Sequence, residues 1–294
     1  MSDIALSAAS RTNLLALQRT QIAIDRTQNR LASGLKVNSA LDDAMAFFTA
    51  RNLTSRAADL SAIKDGISTS LSVLTTATQG LTAIANTLKQ MKALAQSAIS
   101  SPESSTRASF ASQFNELRSQ VDSIAEDASF NGVNLLKRAA TAFTAGGDYL
   151  TIRFNERTDT INQLVVSGLR AADFTTIMST SVTATGTGGN TTVWGQTGSA
   201  AVTAINAAIT AIDKALDRVE SASQSFGTNA ALLGIRQDFT SSLVTTLNNG
   251  AAVLVNADLN EESANLLAAQ TRQQLGLISL SIAQRSEQAV LRMF

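Results

Sequence analysis

From Leu60 to Ala98 the apolar side chains return almost throughout at steps of three and four. Leu60, Ile63, Ile67, Leu71, Leu74, Ala77, Leu81, Ile84, Leu88, Met91, Ala95 and Ala98 form this series. Such spacing predicts one long helix over residues 58–100 with a seam of heptad type, about 60 Å long at ~1.5 Å per residue. Gly66 and Gly80 weaken it locally without ending it. Pro102, in "SSPESS", ends it. A second helix follows, with Phe110, Phe114, Leu117, Val121, Ile124 and Ala128 on one face, and it stops at "FNG", where Asn131 and Gly132 suit a turn.

Between Ala139 and Ser199 the period changes. "DYLTIRF" sets Leu150, Ile152 and Phe154 against Tyr149, Thr151 and Arg153, the alternation of a half-buried strand, and "NQLVVSGL" predicts a second. "TSVTATGTGGNTTVWGQTGS" is rich in Thr and Gly and reads as an exposed loop or short hairpins. Helix returns from about Ala200 on a seam of Ile205, Ile209, Ile212, Leu216, Val219, Phe226 and Leu233. A turn within "NNGAAVLVNADLN" precedes the final helix, where Asp258 and Glu261 resemble a capping box with Asp in place of Ser or Thr.

The two chain ends mirror each other. Leu17, Ile24 and Leu31 lie seven apart near the N-terminus, with Leu14, Gln21, Gln28 and Leu35 on the adjoining seam. Near the C-terminus Leu275, Ile278, Ile282, Ala289 and Met293 share a helical face. About seven apolar side chains per terminal helix represent roughly 10–20 kcal/mol if fully buried. One helix pairing with one other buries only a stripe, so these faces call for further neighbours. The polar sides carry Gln, Ser and Thr more than Lys or Arg, which favours partner helices over a membrane surface. Copies of the same chain are the natural candidates. The expected fold is mainly α: a long antiparallel helical coiled-coil rod built from both ends, with a small β-rich central insert.

Composition narrows the chemistry. The 294 residues hold 23 basic and 23 acidic side chains, with no basic block, which argues against nucleic acid as a partner. With no Cys and no His, disulfides, Cys/His zinc sites and Ser–His or Cys–His catalysis are excluded for this chain alone. No run reaches the ~18 apolar residues of a membrane span, and "MSDIALSAASRTNLLALQRT" lacks the pattern of a cleavable signal peptide. Asp42–Asp43 and Glu261–Glu262 are neighbours on a helix and do not face one another, so they read as helix-start charge rather than an acid–base pair. "TGTGGNT" (185–191) has Thr191 where a dinucleotide-binding loop needs Gly. The Asn52 and Asn190 matches to the N-glycosylation pattern recur by chance. No catalytic residue, cofactor or metal is expected.

Four motifs carry a family resemblance: "RLASGLKVNSALDDA" (Arg30–Ala44), "DGIS" (Asp65–Ser68), "SFNGVNLL" (Ser129–Leu136) and "NADLNEESANLLAAQTRQQLG" (Asn256–Gly276). Together they resemble bacterial flagellin, the repeating subunit of the flagellar filament, over roughly residues 1–140 and 201–294. The resemblance implies residues 1–42 and 255–294 as helices of an inner filament core. It implies 43–140 and 201–254 as an outer core, and 141–200 as a short variable insert. The assembly interface would be carried by Leu14, Leu17, Ile24, Leu31, Leu35, Leu267, Leu275, Ile278, Ile282, Val290 and Met293. It further implies export through the flagellar secretion apparatus to an extracellular filament. The implied partners are the chain itself and paralogues, an export chaperone, the filament cap and hook-associated proteins, with no nucleic acid and no membrane insertion.

One stretch departs from the pattern. Flagellins sensed by Toll-like receptor 5 read approximately LQRVRELAVQ where this chain has "LKQMKALAQS". Leu88 and Leu94 match, whereas Gln90 and Lys92 replace arginines and Ala93 replaces glutamate. Gln90 lacks arginine's charge and its planar fork of donors, so weak recognition is expected. A hook–filament junction protein is the nearest alternative, and a membrane-active helical translocator is the alternative from a different class. "NADLNEESANL" and the short insert favour flagellin.

Overall fold

The computed structural model describes residues 8–137, 149–156, 162–169, 182–183, 192–195 and 199–291. Five helices and six short strands occur among them: α1 (Ala8–Ser33), α2 (Ala44–Ser100), α3 (Ser104–Asp127), β1 (Ser129–Phe130), β2 (Val133–Asn134), β3 (Tyr149–Arg153), β4 (Gln163–Ser167), β5 (Val182–Thr183), β6 (Thr192–Val193), α4 (Ser199–Val255) and α5 (Leu259–Leu291). The chain forms two compact units, Met1–Ala58 with Thr245–Phe294, and Asp59–Val244. None of the described helices is long and apolar enough to cross a membrane.

In the unit of residues 59–244, the three predicted seams meet in one core. Leu74, Leu81, Ile84, Leu88 and Met91 of α2 join Phe114 and Val121 of α3 and Ile205, Ile212, Phe226 and Leu233 of α4. The chain reverses after α3 through a hairpin whose two turn residues, Asn131 (φ 51°) and Gly132 (φ 80°), both have positive φ, as a two-residue hairpin turn demands. Asn134 fastens the return. Its Nδ2 donates to the carbonyls of Ala125 and Glu126 at the end of α3, and its Oδ1 accepts from the amides of Leu136 and Lys137.

β3 and β4 pair antiparallel from Tyr149↔Ser167 to Arg153↔Gln163. As the alternation predicts, Ile152 is buried and Leu150 and Phe154 pack on the core, while Thr151 and Arg153 face water. The Thr/Gly-rich segment departs from expectation where it is described. β5 and β6 pair in parallel, so they are not a hairpin, and Trp194 beside them is fully buried. Its ring lies 5.1 Å from that of Phe114, and the buried Arg107 donates from Nε to the Trp194 carbonyl at 3.0 Å. The indole buries a large apolar area there, which outweighs the polar character of the surrounding sequence. The "TGTGGNT" stretch and Asn190 lie outside the described residues.

The turn expected within "NNGAAVLVNADLN" falls at its far end. α4 runs through Asn248–Gly250 to Val255, since Gly inside a helix costs only about 1 kcal/mol. Asp258 then caps α5, its Oδ1 accepting from the amides of Asn260 and Glu261 at 2.9 and 3.4 Å.

Candidate functional site

α1 and α5, at the two ends of the chain, pack against each other antiparallel. Four contacts fix their register. Arg30 Nη1 donates to Glu262 Oε1 at 2.8 Å, Gln273 Nε2 to Gln21 Oε1 at 2.7 Å, and Asn13 Nδ2 to Ser279 Oγ at 3.4 Å. Leu17 lies against Gly276 so closely that a Cβ there would sit 2.7 Å from Leu17 Cδ2. On α1 the inward positions are Ser10, Asn13, Leu17, Thr20, Ile24, Thr27 and Leu31; on α5 they are Glu262, Leu266, Ala269, Gln273, Gly276, Leu280 and Ala283, each buried or half-buried. Both series step strictly by three and four, so this is a heptad seam. Bulk on α1 is met by small residues on α5: Leu17 by Gly276, and Ile24 lies level with Ala269.

That seam is not the greasy stripe of α5. At ~100° per residue, Leu267 and Ile278 lie nearly opposite Ala269 and Gly276, and Leu275 and Ile282 lie to one side of the seam. All four are 55 to 69% exposed. The residues expected at an assembly interface therefore divide. Ile24 is buried between α1 and α5, and Leu17, Leu31 and Leu35 are half-buried. Leu14, Leu267, Leu275, Ile278 and Ile282 remain open to water. The Val290 side chain and Met293 lie outside the described residues.

Where the helices join α2 and α4, the two connecting segments clasp each other. α1 ends in the left-handed Gly34 (φ 72°), whose amide donates to the Arg30 carbonyl. Gly34 O then accepts from Ala257 N at 2.9 Å, Lys36 N donates to Val255 O at 2.8 Å, and Leu35 bridges Asn256. The Lys36 ammonium donates to Val253 O, placing a cation at the end of α4, where unpaired carbonyls favour it.

The adjacent aspartates have separate duties. Asp42 Oδ2 accepts from Asn38 N, Ser39 N and Ser39 Oγ at 3.0 to 3.2 Å, and Asp43 Oδ1 accepts from Ala46 N at 3.0 Å as the cap of α2. The hydrogen bonds from the Ser39 backbone and hydroxyl hold the Asp42 carboxyl below its ordinary 3.8. This accounts physically for "NSALDDA". The sequence placed both carboxylates at a helix start; only the geometry separates the loop anchor from the cap.

In the stretch matched to the Toll-like receptor 5 motif, Leu88 is fully buried in the core, Leu94 is half-buried, and Gln90 and Ala93 are exposed. Lys92 Nζ donates to Asp213 Oδ1 of α4 at 2.6 Å. Among the described residues no three His, Cys, Asp or Glu side chains converge as metal ligands. Long helices whose outward stripes are apolar, with ends zipped in register, are the architecture of an assembling structural protein.

Comparison with known proteins gives the class a family. The bacterial flagellin N-terminal helical region matches residues 4–141, and the C-terminal helical region matches 209–294. Flagellin FljK of Caulobacter vibrioides is 31% identical over 100% of this chain and 99% of its own length. Flagellin FljM of the same species is 32% identical over 96% of this chain and 95% of its own, and the Brucella melitensis flagellin 29% identical over 100% and 99%. A crystal structure of Bacillus cereus flagellin overlays 60% of this chain and 88% of that one at 21% identity, with a TM-score of 0.45. The chain belongs to the bacterial flagellins and is a structural subunit of the extracellular flagellar filament, not an enzyme.

Proposed function

We propose that α1 and α5 form the inner core of the filament and meet other copies through the faces that their mutual seam leaves open. Leu14, Leu267, Leu275, Ile278 and Ile282 carry these contacts, joined on sequence spacing by Val290 and Met293. Leu17, Ile24, Leu31 and Leu35 serve the pair itself, holding it in register. The observation behind this is that α5 carries an exposed apolar stripe outside the face it turns to α1. A helix buried on the side it turns to α1 still sets Leu267, Leu275, Ile278 and Ile282 in water, and further helices remove them. Residues 43–140 and 201–254 form the outer core, and 141–200 the variable insert.

The same stripe suits an export chaperone before assembly, and the filament cap and hook-associated proteins at its ends. Export through the flagellar secretion apparatus, without a cleaved signal peptide, fits a chain with no Cys. No disulfide has to be reduced before it threads a narrow channel. Copolymers with closely similar flagellins follow where a cell makes several. Toll-like receptor 5 responds weakly to this chain: Gln90 is neutral, and the Lys92 charge is taken up by Asp213. A cell reporter responding at the potency of an enteric flagellin would sink that reading.

Seeded assembly tests the interface. Monomer is added to filament fragments and elongation followed by light scattering and electron microscopy, alongside a chain lacking Ala283–Phe294 and an Ile278→Gln variant. The intact chain elongates seeds, while both variants raise the concentration required or stay monomeric. Equal elongation by all three overturns the interface.

A further inference from the structure

Outside the paired terminal helices, two further stripes of large apolar side chains face water. The first is Leu41, in the turn before α2, with Met45 and Phe48 in the first turns of that helix, 98, 83 and 54% exposed. The second is Leu232, Ile235 and Phe239 on α4, also exposed. Neither is left loose. Leu41 stands directly before Asp42 and Asp43, whose caps fix the loop on one side of it and the first turn of α2 on the other. The segment is thus held in one geometry with its leucine in water. Beside the second stripe, Arg236 could fold over its neighbours Ile235 and Phe239. Instead its guanidinium sits 5.0 Å above the ring of Phe154, leaving the stripe open. Preorganised apolar faces of this kind cost little further ordering when a partner covers them.

We propose that these stripes are the two halves of one joint between copies: Leu41–Met45–Phe48 of one subunit packs on Leu232–Ile235–Phe239 of another. The proposal rests on the filament reading above. An open helical polymer needs heterologous contacts, in which each copy offers two different surfaces. The two stripes fit that need. Each spans eight residues and carries one phenylalanine with two aliphatic partners. Met45 supplies the flexible side chain that adapts to a facing ring.

The chain has no cysteine, so the joint can be tested by cross-linking. Met45→Cys and Ile235→Cys chains are copolymerised onto wild-type seeds and treated with a short bis-maleimide. The mixed filament yields covalent dimers at about tenfold the level of either single-variant filament, in keeping with a heterologous contact. Filaments that form but cross-link no better when mixed overturn the joint, as does equal cross-linking in the Met45→Cys filament alone. Failure of wild-type chain to elongate seeds would instead remove the filament reading itself. Should the cysteine variants not assemble, wild-type filaments decide. Hydrogen peroxide then oxidises Met45 about tenfold more slowly in filaments than in free chain, with the fully buried Met91 slow in both. Equal rates at Met45 overturn the proposal.

Discussion

Leu17 and Gly276 touch across the α1–α5 seam with no room for a methyl group: a Cβ on residue 276 would stand 2.7 Å from Leu17 Cδ2 and 3.2 Å from its Cγ. Gly276 therefore sets how near the helices come. Gly276→Val is expected to cost about 1–3 kcal/mol by overpacking, read as a rise in the critical concentration for assembly. Leu17→Ala in the same chain should restore part of the loss, since the two sites share one space. Additive losses would mean that the contact does not limit the pair.

Arg30 and Glu262 form a charged contact of the same seam, with the Glu262 side chain only 10% exposed. Arg30→Met leaves that carboxylate short of a donor and should cost about 1–3 kcal/mol. The thermal midpoint of assembled filaments reports it. The double variant Arg30→Met with Glu262→Gln should lie closer to wild type than Arg30→Met alone.

Asp42 makes the Asn38–Ser39 loop sensitive to acid. Its carboxyl titrates below 3.8, so the charged form is favoured in the folded chain. The stabilisation is present above the unfolded value and is lost as pH falls through the lower folded one. In an NMR acid titration the Asn38 and Ser39 amides should shift with a midpoint below 3.8, and Asp42→Asn should abolish that step. A midpoint at or above that value would remove the assigned role.

Trp194 is the single tryptophan, so its fluorescence reports one site. Buried against Phe114, it should emit toward the blue and resist acrylamide. Arg107 donates from Nη1 to the Ser101 and Pro102 carbonyls at 2.7 and 2.9 Å as well as from Nε to Trp194. Arg107→Met should red-shift the emission and cost about 1–3 kcal/mol by stranding the buried Trp194 carbonyl. Unchanged emission would show that the insert holds Trp194 without it.

The long seams were legible because Leu60 to Ala98 and Ile205 to Leu233 repeat large apolar residues at one period, and burial follows that period. The α1–α5 seam was harder to read. Its α5 side intersperses Leu266 and Leu280 with Glu262, Ala269, Gln273, Gly276 and Ala283, which look like a mostly polar or small-residue face, while Leu275, Ile278 and Ile282 draw the eye to another. Size complementarity with Leu17 and Ile24 is a property of the pair and is absent from either helix alone. Trp194 was missed for a related reason. Its Thr/Gly-rich surroundings signal a loop, and the pocket that buries it is built by α3, eighty residues earlier.

The clasp between Gly34–Val37 and Val253–Ala257 has a consequence for the order of folding. Asn13 and Ser279 are 266 residues apart in sequence, so the earliest helix made must wait for the last. Once the clasp has closed, the open span between those partners shrinks to about 45 residues, lowering the loop-closure cost by roughly 1.5 kcal/mol. The terminal helices can then zip from the clasp outward, with Arg30 and Glu262 meeting first and the two chain ends last.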